Sequence, residues 1–128
     1  MRSVPEPAER ARLQARATFA RQLVAFATET DDAALAAPSR CEAPVARARQ
    51  VAMYLCHVVF GMSLTEVGRA FGRDRTTAAH ACRLVEDLRD DALLDAWLGR
   101  LEAFLAAAPR PDVDLLGHAG RPFRRSAA

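Results

Sequence analysis

The stretch from Ser63 to His80, SLTEVGRAFGRDRTTAAH, restricts the fold more than any other part of the chain. Ser63-Leu-Thr-Glu66 has the capping-box pattern, in which the Ser63 hydroxyl caps a helix and Glu66 reaches back to the Ser63 N–H. Leu64, Val67 and Phe71 then recur at helical spacing, so a short helix over 64–71 with one apolar face is expected. Gly72-Arg73 supplies a tight turn. Asp74 can cap a second helix, which buries Ala78, Ala81, Leu84, Val85 and Leu88 and runs to about Arg89. Two short helices across a tight turn form helix-turn-helix grammar. Gly68 is out of place inside a helix, where it costs about 1 kcal/mol relative to Ala. Close approach of another helix would explain it.

The remaining segments also have helical period. Residues 8 to about 30 place Phe19, Leu23 and Phe26 on one face with Ala20, Val24 and Ala27 close by, a face expected to be core, with a partner groove as the alternative. Ala33 to Ala37 can add a helical turn before Pro38 stops it. Pro38 to Pro44 reads as a loop. A longer helix is expected from Val45 to Phe60, burying Val51, Leu55, Val58 and Val59 and stopped by Gly61. After Asp90-Asp91, a last helix carries an apolar stripe of Leu94, Trp97, Leu98, Leu101, Phe104 and Leu105. That stripe is expected to be core, with a homodimer interface as the alternative. Pro109 and Pro111 end it. No strand and no internal repeat is apparent. The expected architecture is all-α, a single helical domain over 8–108. Residues 1–7 are expected to be a flexible start and 109–128 a flexible tail containing Arg.

Composition narrows the chemistry. All 18 basic residues are Arg, because the 128-residue chain contains no Lys. A phosphate loop ending in Gly-Lys-[Ser/Thr] and a Schiff-base lysine are therefore excluded. The charge is unevenly spread: Arg40–Arg89 holds 8 Arg against 5 acids, whereas Asp90–Ala108 holds 1 Arg against 4 acids. Basic character thus gathers around the two short helices and, with 4 Arg against 2 acids, beyond Pro109. The three cysteines, Cys41, Cys56 and Cys82, form no pairable framework, which points to a reducing compartment. No apolar signal core opens the chain. The longest near-apolar run, Val51–Met62, is too short to span a bilayer. Cys56-His57 and His80-x-Cys82 bring metal-binding residue types together, but their spacing fits no standard ligand set. No catalytic Ser/His/Asp or Cys/His constellation can be assembled, so neither an enzyme nor a cofactor is expected.

Arg73-Asp74-Arg75-Thr76-Thr77 has the chemistry of a reading head. Such a head must offer reaching polar groups at the N-terminal turn of its second helix. Arg can fork to guanine, Asp can accept from cytosine N4, and a Thr methyl can touch thymine. The bland alternative is that Asp74 only caps the helix while Arg73 and Arg75 are solvated.

At these residues the chain resembles the C-terminal DNA-binding domain of DnaA, the bacterial replication initiator. The family pattern is approximately I-G-x-x-F-G-G-R-D-H-[ST]-T-V-x-H-A, matched here from Val67-Gly68 through Phe71-Gly72-Arg73-Asp74 to His80-Ala81. Upstream, VARARQVAM from Val45 to Met53 is similar to the family's V-A-R-P-R-Q-x-A-M. Downstream, Cys82-Arg83 and Glu86 fit the continuing helix. The likeness covers about 45–89 and implies a DnaA/Trp-repressor-like helix-turn-helix, with an extra helix on either side. It implies that Asp74, Arg75 and Thr76 face bases. Arg49, Gln50, Thr77 and His80 would face phosphate, with the backbone near Leu64 and Thr65, and Arg73 beside the DNA backbone at the turn.

Three departures stand out. One Gly of the family's turn is missing, Arg75 replaces a His, and Glu42-Ala43 stands where the family puts a minor-groove Arg, with only Arg40 nearby. No ATPase module is seen ahead of the domain. The resemblance therefore implies a stand-alone relative, similar to HdaB-like proteins, that binds DnaA-box-like duplex and regulates initiation in the cytoplasm, at the nucleoid. The rival readings are a regulator that binds the DnaA initiator or its Hda-like inactivating partner, and a helix-turn-helix transcription regulator. Oligomeric state is left open.

Overall fold

The computed structural model describes residues 6–37 and 43–108. The two termini expected to be flexible lie almost wholly outside these residues, as do residues 38–42 of the expected Pro38–Pro44 loop, with Cys41; Ala43 and Pro44 open a helix instead. Six helices follow in order: α1 Pro7–Thr28, α2 Asp32–Ala36, α3 Ala43–Val58, α4 Leu64–Ala70, α5 Arg75–Leu88 and α6 Ala92–Ala107. No strand occurs among the described residues.

Each boundary has a local cause. Pro7 sits in the first turn of α1, where its missing N–H costs nothing. Glu29 ends that helix in the left-handed region, at φ 56°, and Thr30 N–H closes back onto the Ala25 carbonyl at 2.9 Å. Asp31 caps α2 through the Ala33 N–H, and Asp91 caps α6 through the N–H groups of Leu93 and Leu94. Gly61, at φ +68°, turns the chain out of α3. His57 then pins the turn, its Nδ1 lying 2.7 Å from the Met62 carbonyl oxygen.

α3 lies at the centre, with six consecutive residues from Val51 to Cys56 buried. It packs against α1 on one side and α5 on the other. The closest face of α1 is only partly the expected one: Ala20 and Val24 belong to both, whereas Phe26 and Ala27 turn out to be exposed. Ala17, Ala20, Val24 and Ala25 are buried, Phe19 and Leu23 only partly, and Phe26 is 83% exposed. Small side chains let two helix backbones approach, and in this alanine-rich chain they define the intimate face. Val58 likewise emerges from the core at the end of α3. In α6 the expected stripe splits: Leu98, Leu101 and Leu105 are buried, Trp97 is partly buried, and Leu94 and Phe104 face solvent.

Polar ties fasten the outer helices. Arg21 grips Asp32 with Nε at 2.6 Å and Nη2 at 3.3 Å, holding α2 against α1. Arg89 binds Asp95 and Glu102 of α6 and donates to the Tyr54 hydroxyl at 2.9 Å. These partners, Glu102 foremost, push the guanidinium pKa up, and burial raises that of the Tyr54 phenol.

The left-handed backbone at Glu29 disfavours any side chain. Replacing Glu29 by Gly is expected to raise stability by about 0.5–1 kcal/mol, the relieved strain being partly offset by the greater freedom of Gly in the unfolded chain. A urea titration checks this, and a lower midpoint would contradict it.

Candidate nucleic-acid interface

The site begins at the α4–α5 corner. The Ser63 hydroxyl accepts the Glu66 N–H at 3.1 Å while the Glu66 carboxylate accepts the Ser63 N–H at 2.8 Å, completing the capping box. In the turn, Gly72 lies at φ +67° with open space around it, so it is there for its backbone conformation. Gly68 is there for space. A Cβ built on it would lie 2.6 Å from the Arg73 carbonyl oxygen and 2.9 Å from that of Asp74. The Arg73 N–H bonds the Gly68 carbonyl at 2.7 Å. The close approach expected at Gly68 is thus made by the backbone entering α5.

That contact aims the N-terminus of α5 outward. Asp74, Arg75, Thr76, Thr77 and His80 are all exposed, as is Arg83 one turn farther on. Thr76, His80 and Arg83 fall at i, i+4 and i+7 and therefore share one helix face. Arg83 had no assigned part in the expected site, although this spacing could have shown it. Asp74 caps the helix, its Oδ1 accepting the Thr77 N–H at 2.8 Å. Hydrogen bonds from the Thr77 backbone and hydroxyl hold its carboxyl below the ordinary carboxylate range. Thr65 and Leu64, in the first turn of α4, are half-buried.

Arg49 requires a correction. It was expected to face phosphate, yet it is 8% exposed. Its Nε donates to the Leu35 carbonyl at 2.9 Å, and its Nη2 donates to those of Ala34 at 3.0 Å and Ala37 at 3.3 Å. A planar fork matched to the carbonyls at the end of α2 makes this a structural arginine. Arg73 is also turned inward, donating to the Phe71 carbonyl at 3.1 Å and the Ala37 carbonyl at 3.3 Å. Gln50 is partly exposed, with its Oε1 buried and without a hydrogen-bond partner. Among the described residues no cluster of three His, Cys, Asp or Glu side chains comes together to hold a metal. Cys56 is a core thiol, its pKa pushed up to about 12 by burial. No helix of the described residues is long and apolar enough to cross a membrane.

The sequence model of the family described as bacterial DnaA protein helix-turn-helix matches residues 20–85. The chain belongs to that family. A crystal structure of a DNA replication initiation factor superimposes with a TM-score of 0.68 at 29% identity, over 77% of this chain. The chain spans only 30% of that protein's length. The DnaA-family match runs from the middle of α1 to the last turns of α5, so it includes the whole reading corner and leaves α6 outside it. The all-helical fold is that of the DnaA helix-turn-helix domain, a DNA-binding rather than a catalytic unit.

Three outcomes test this geometry. Gly68→Ala sets a helix-propensity gain of about 1 kcal/mol against a backbone collision, and overpacking of that kind costs about 1–3 kcal/mol. Net destabilisation in a urea melt is therefore expected, and a more stable variant would contradict it. Arg49→Ala is expected to lose about 1.5–3 kcal/mol, the worth of charge-assisted hydrogen bonds, with Lys at 49 failing to restore it. Full rescue by Lys would show that the fork is dispensable. Asp74 has a folded-state pKa below its unfolded one, so its capping contribution is complete above the unfolded value and is lost as pH falls through the folded value. Asp74→Ala should therefore lower the melting temperature at neutral pH and match the wild type at strongly acidic pH. Equal melting at pH 7 would refute the cap.

Proposed function

We propose that the protein binds double-stranded DNA sequence-specifically through the N-terminal turn of α5, at sites similar to DnaA boxes, and so regulates chromosomal replication initiation without an ATPase activity of its own. The observation that carries this reading is the exposed row Arg75, Thr76, His80 and Arg83 on a helix held by a DnaA-type corner. Arg75 and Thr76 are the base readers, with Asp74 alongside. Arg83, Gln50, Thr77, His80 and the backbone N–H groups of Leu64 and Thr65 meet phosphates. The capping box engages the N–H groups of Ser63 and Glu66 and leaves those of Leu64 and Thr65, in the first turn, without partners inside the helix. Such a helix start suits an anionic oxygen. Arg49 and Arg73 support the head from behind.

Arg75 stands where the family has His. A bidentate Arg–guanine pair discriminates by about 1–3 kcal/mol, so this position is expected to shift the preferred site relative to a DnaA box. The assigned place in the cell is the nucleoid.

Fluorescence polarisation of a DnaA-box duplex against a scrambled one, over a salt series, tests the proposal. Preference for the box-like duplex is expected at every salt concentration. Arg75→Ala should reduce that preference, whereas Arg83→Ala should weaken both duplexes alike and lower the salt slope by about 0.9. Equal affinities for both duplexes throughout would overturn base-specific recognition.

A further inference from the structure

α6 is apolar on the side that does not meet the core. Its outward residues are Leu93, Ala96, Arg100, Ala103, Phe104 and Ala107, all exposed, with Leu93 at 83% and Phe104 at 53%. Only one of the six is charged. A helix that is apolar nearly all round normally has protein on every side. The core takes Leu98, Leu101 and Leu105, and α1 touches Phe104 only at its edge, with Phe19 and Phe104 ring centroids 6.5 Å apart. Phe26 lies two turns beyond Phe19 on the same face of α1 and extends the patch, 83% exposed. The residues proposed to meet DNA lie within the matched residues 20–85, and α6 lies outside them.

We infer that this face is the seat of a second copy of the chain, which pairs α6 with α6 in antiparallel fashion about a two-fold axis. The spacing is self-complementary. With the axis near residues 98–99, Leu93 lies opposite Phe104 of the second copy, and Phe104 opposite its Leu93. Between them Ala96 and Ala103 are small. Nucleic acid is a poor occupant, because one Arg on an otherwise uncharged face offers phosphates almost nothing. The α6 face is about 24 Å long. With Phe26 it would bury roughly 1,000 Å² over both copies, the lower limit for a specific interface. The dimer is therefore weak and concentration-dependent, and it carries two reading heads. Arg100 approaches its own copy near the axis and opposes association.

Sedimentation equilibrium of the full chain from about 1 µM to 1 mM, at low and high salt, tests this. A reversible monomer–dimer equilibrium that tightens with salt is expected, the reverse of the salt response of DNA binding. Leu93→Glu or Phe104→Glu should weaken it by roughly tenfold or more, and Arg100→Ala should tighten it. Both acidic substitutions are at exposed positions, and far-UV circular dichroism confirms that the variants remain folded. A wild-type monomer throughout the range overturns the inference. So does a dimer unaffected by Leu93→Glu and Phe104→Glu, which would place the contact elsewhere. A monomer in which Leu93 and Phe104 resist hydroxyl-radical labelling also overturns it, assigning the face to the chain's own residues 109–128.

Discussion

The absence of one side-chain atom sets the geometry of the reading head. Because Gly68 has no Cβ, the carbonyls of Arg73 and Asp74 come closer to α4 than any other residue would allow. The Arg73 N–H then binds the Gly68 carbonyl, and Gly72 supplies the left-handed residue that lets the chain reverse so tightly. The angle between α4 and α5 follows from these contacts. The direction in which Arg75, Thr76, His80 and Arg83 point follows from that angle. The turn has one Gly fewer than the family pattern, yet it still closes. The backbone hydrogen bonds of the corner run through Gly68, and only one residue there needs a positive φ.

A second constraint lies behind the corner, at the end of α2. That helix is five residues long, too short to be stable alone, and most of its carbonyls have no partner inside it. Arg49 enters from α3 and satisfies three of them, and Arg73 reaches the Ala37 carbonyl from the helix-turn-helix. One backbone oxygen thus joins α2, α3 and the turn. An arginine used in this way is a packing element with a charge, and removing it takes the donor from the Leu35 carbonyl in a buried contact.

Much of this was legible in the sequence. The capping box, the Gly turn and the Asp74 cap are local devices with fixed spacing, so α4 and α5 emerged within a residue or so of their ends. What failed was the assignment of faces. Periodicity weighted by side-chain size placed Phe26 inside, but α1 meets α3 through Ala17, Ala20, Val24 and Ala25. In an alanine-rich chain the narrow face packs closest and the bulky residues lie at its margin. Size alone therefore misjudges the direction of burial, as it did for Phe104 and Val58. Arg49 was misplaced for a related reason. A sequence shows a guanidinium, but the three carbonyls awaiting it belong to a segment more than ten residues away.

The placement of Asp74 changes how recognition divides among the exposed residues. Its Oδ1 is engaged by the Thr77 N–H, and the same bonds keep the carboxylate ionised. A carboxylate at the mouth of a DNA groove repels phosphate, so retaining it there costs affinity. The cap it gives α5 offsets that cost, and under the proposed function so would an acceptor offered to cytosine. Because the cap fixes its position, Asp74 can accept from a base only along the direction the helix start allows. Arg75 has no such tether. It combines reach, a fork of donors and a positive charge, so under the proposed function it is the residue on which discrimination would turn. On that proposal the head presents one acceptor anchored by the helix start and one cation free to follow the duplex.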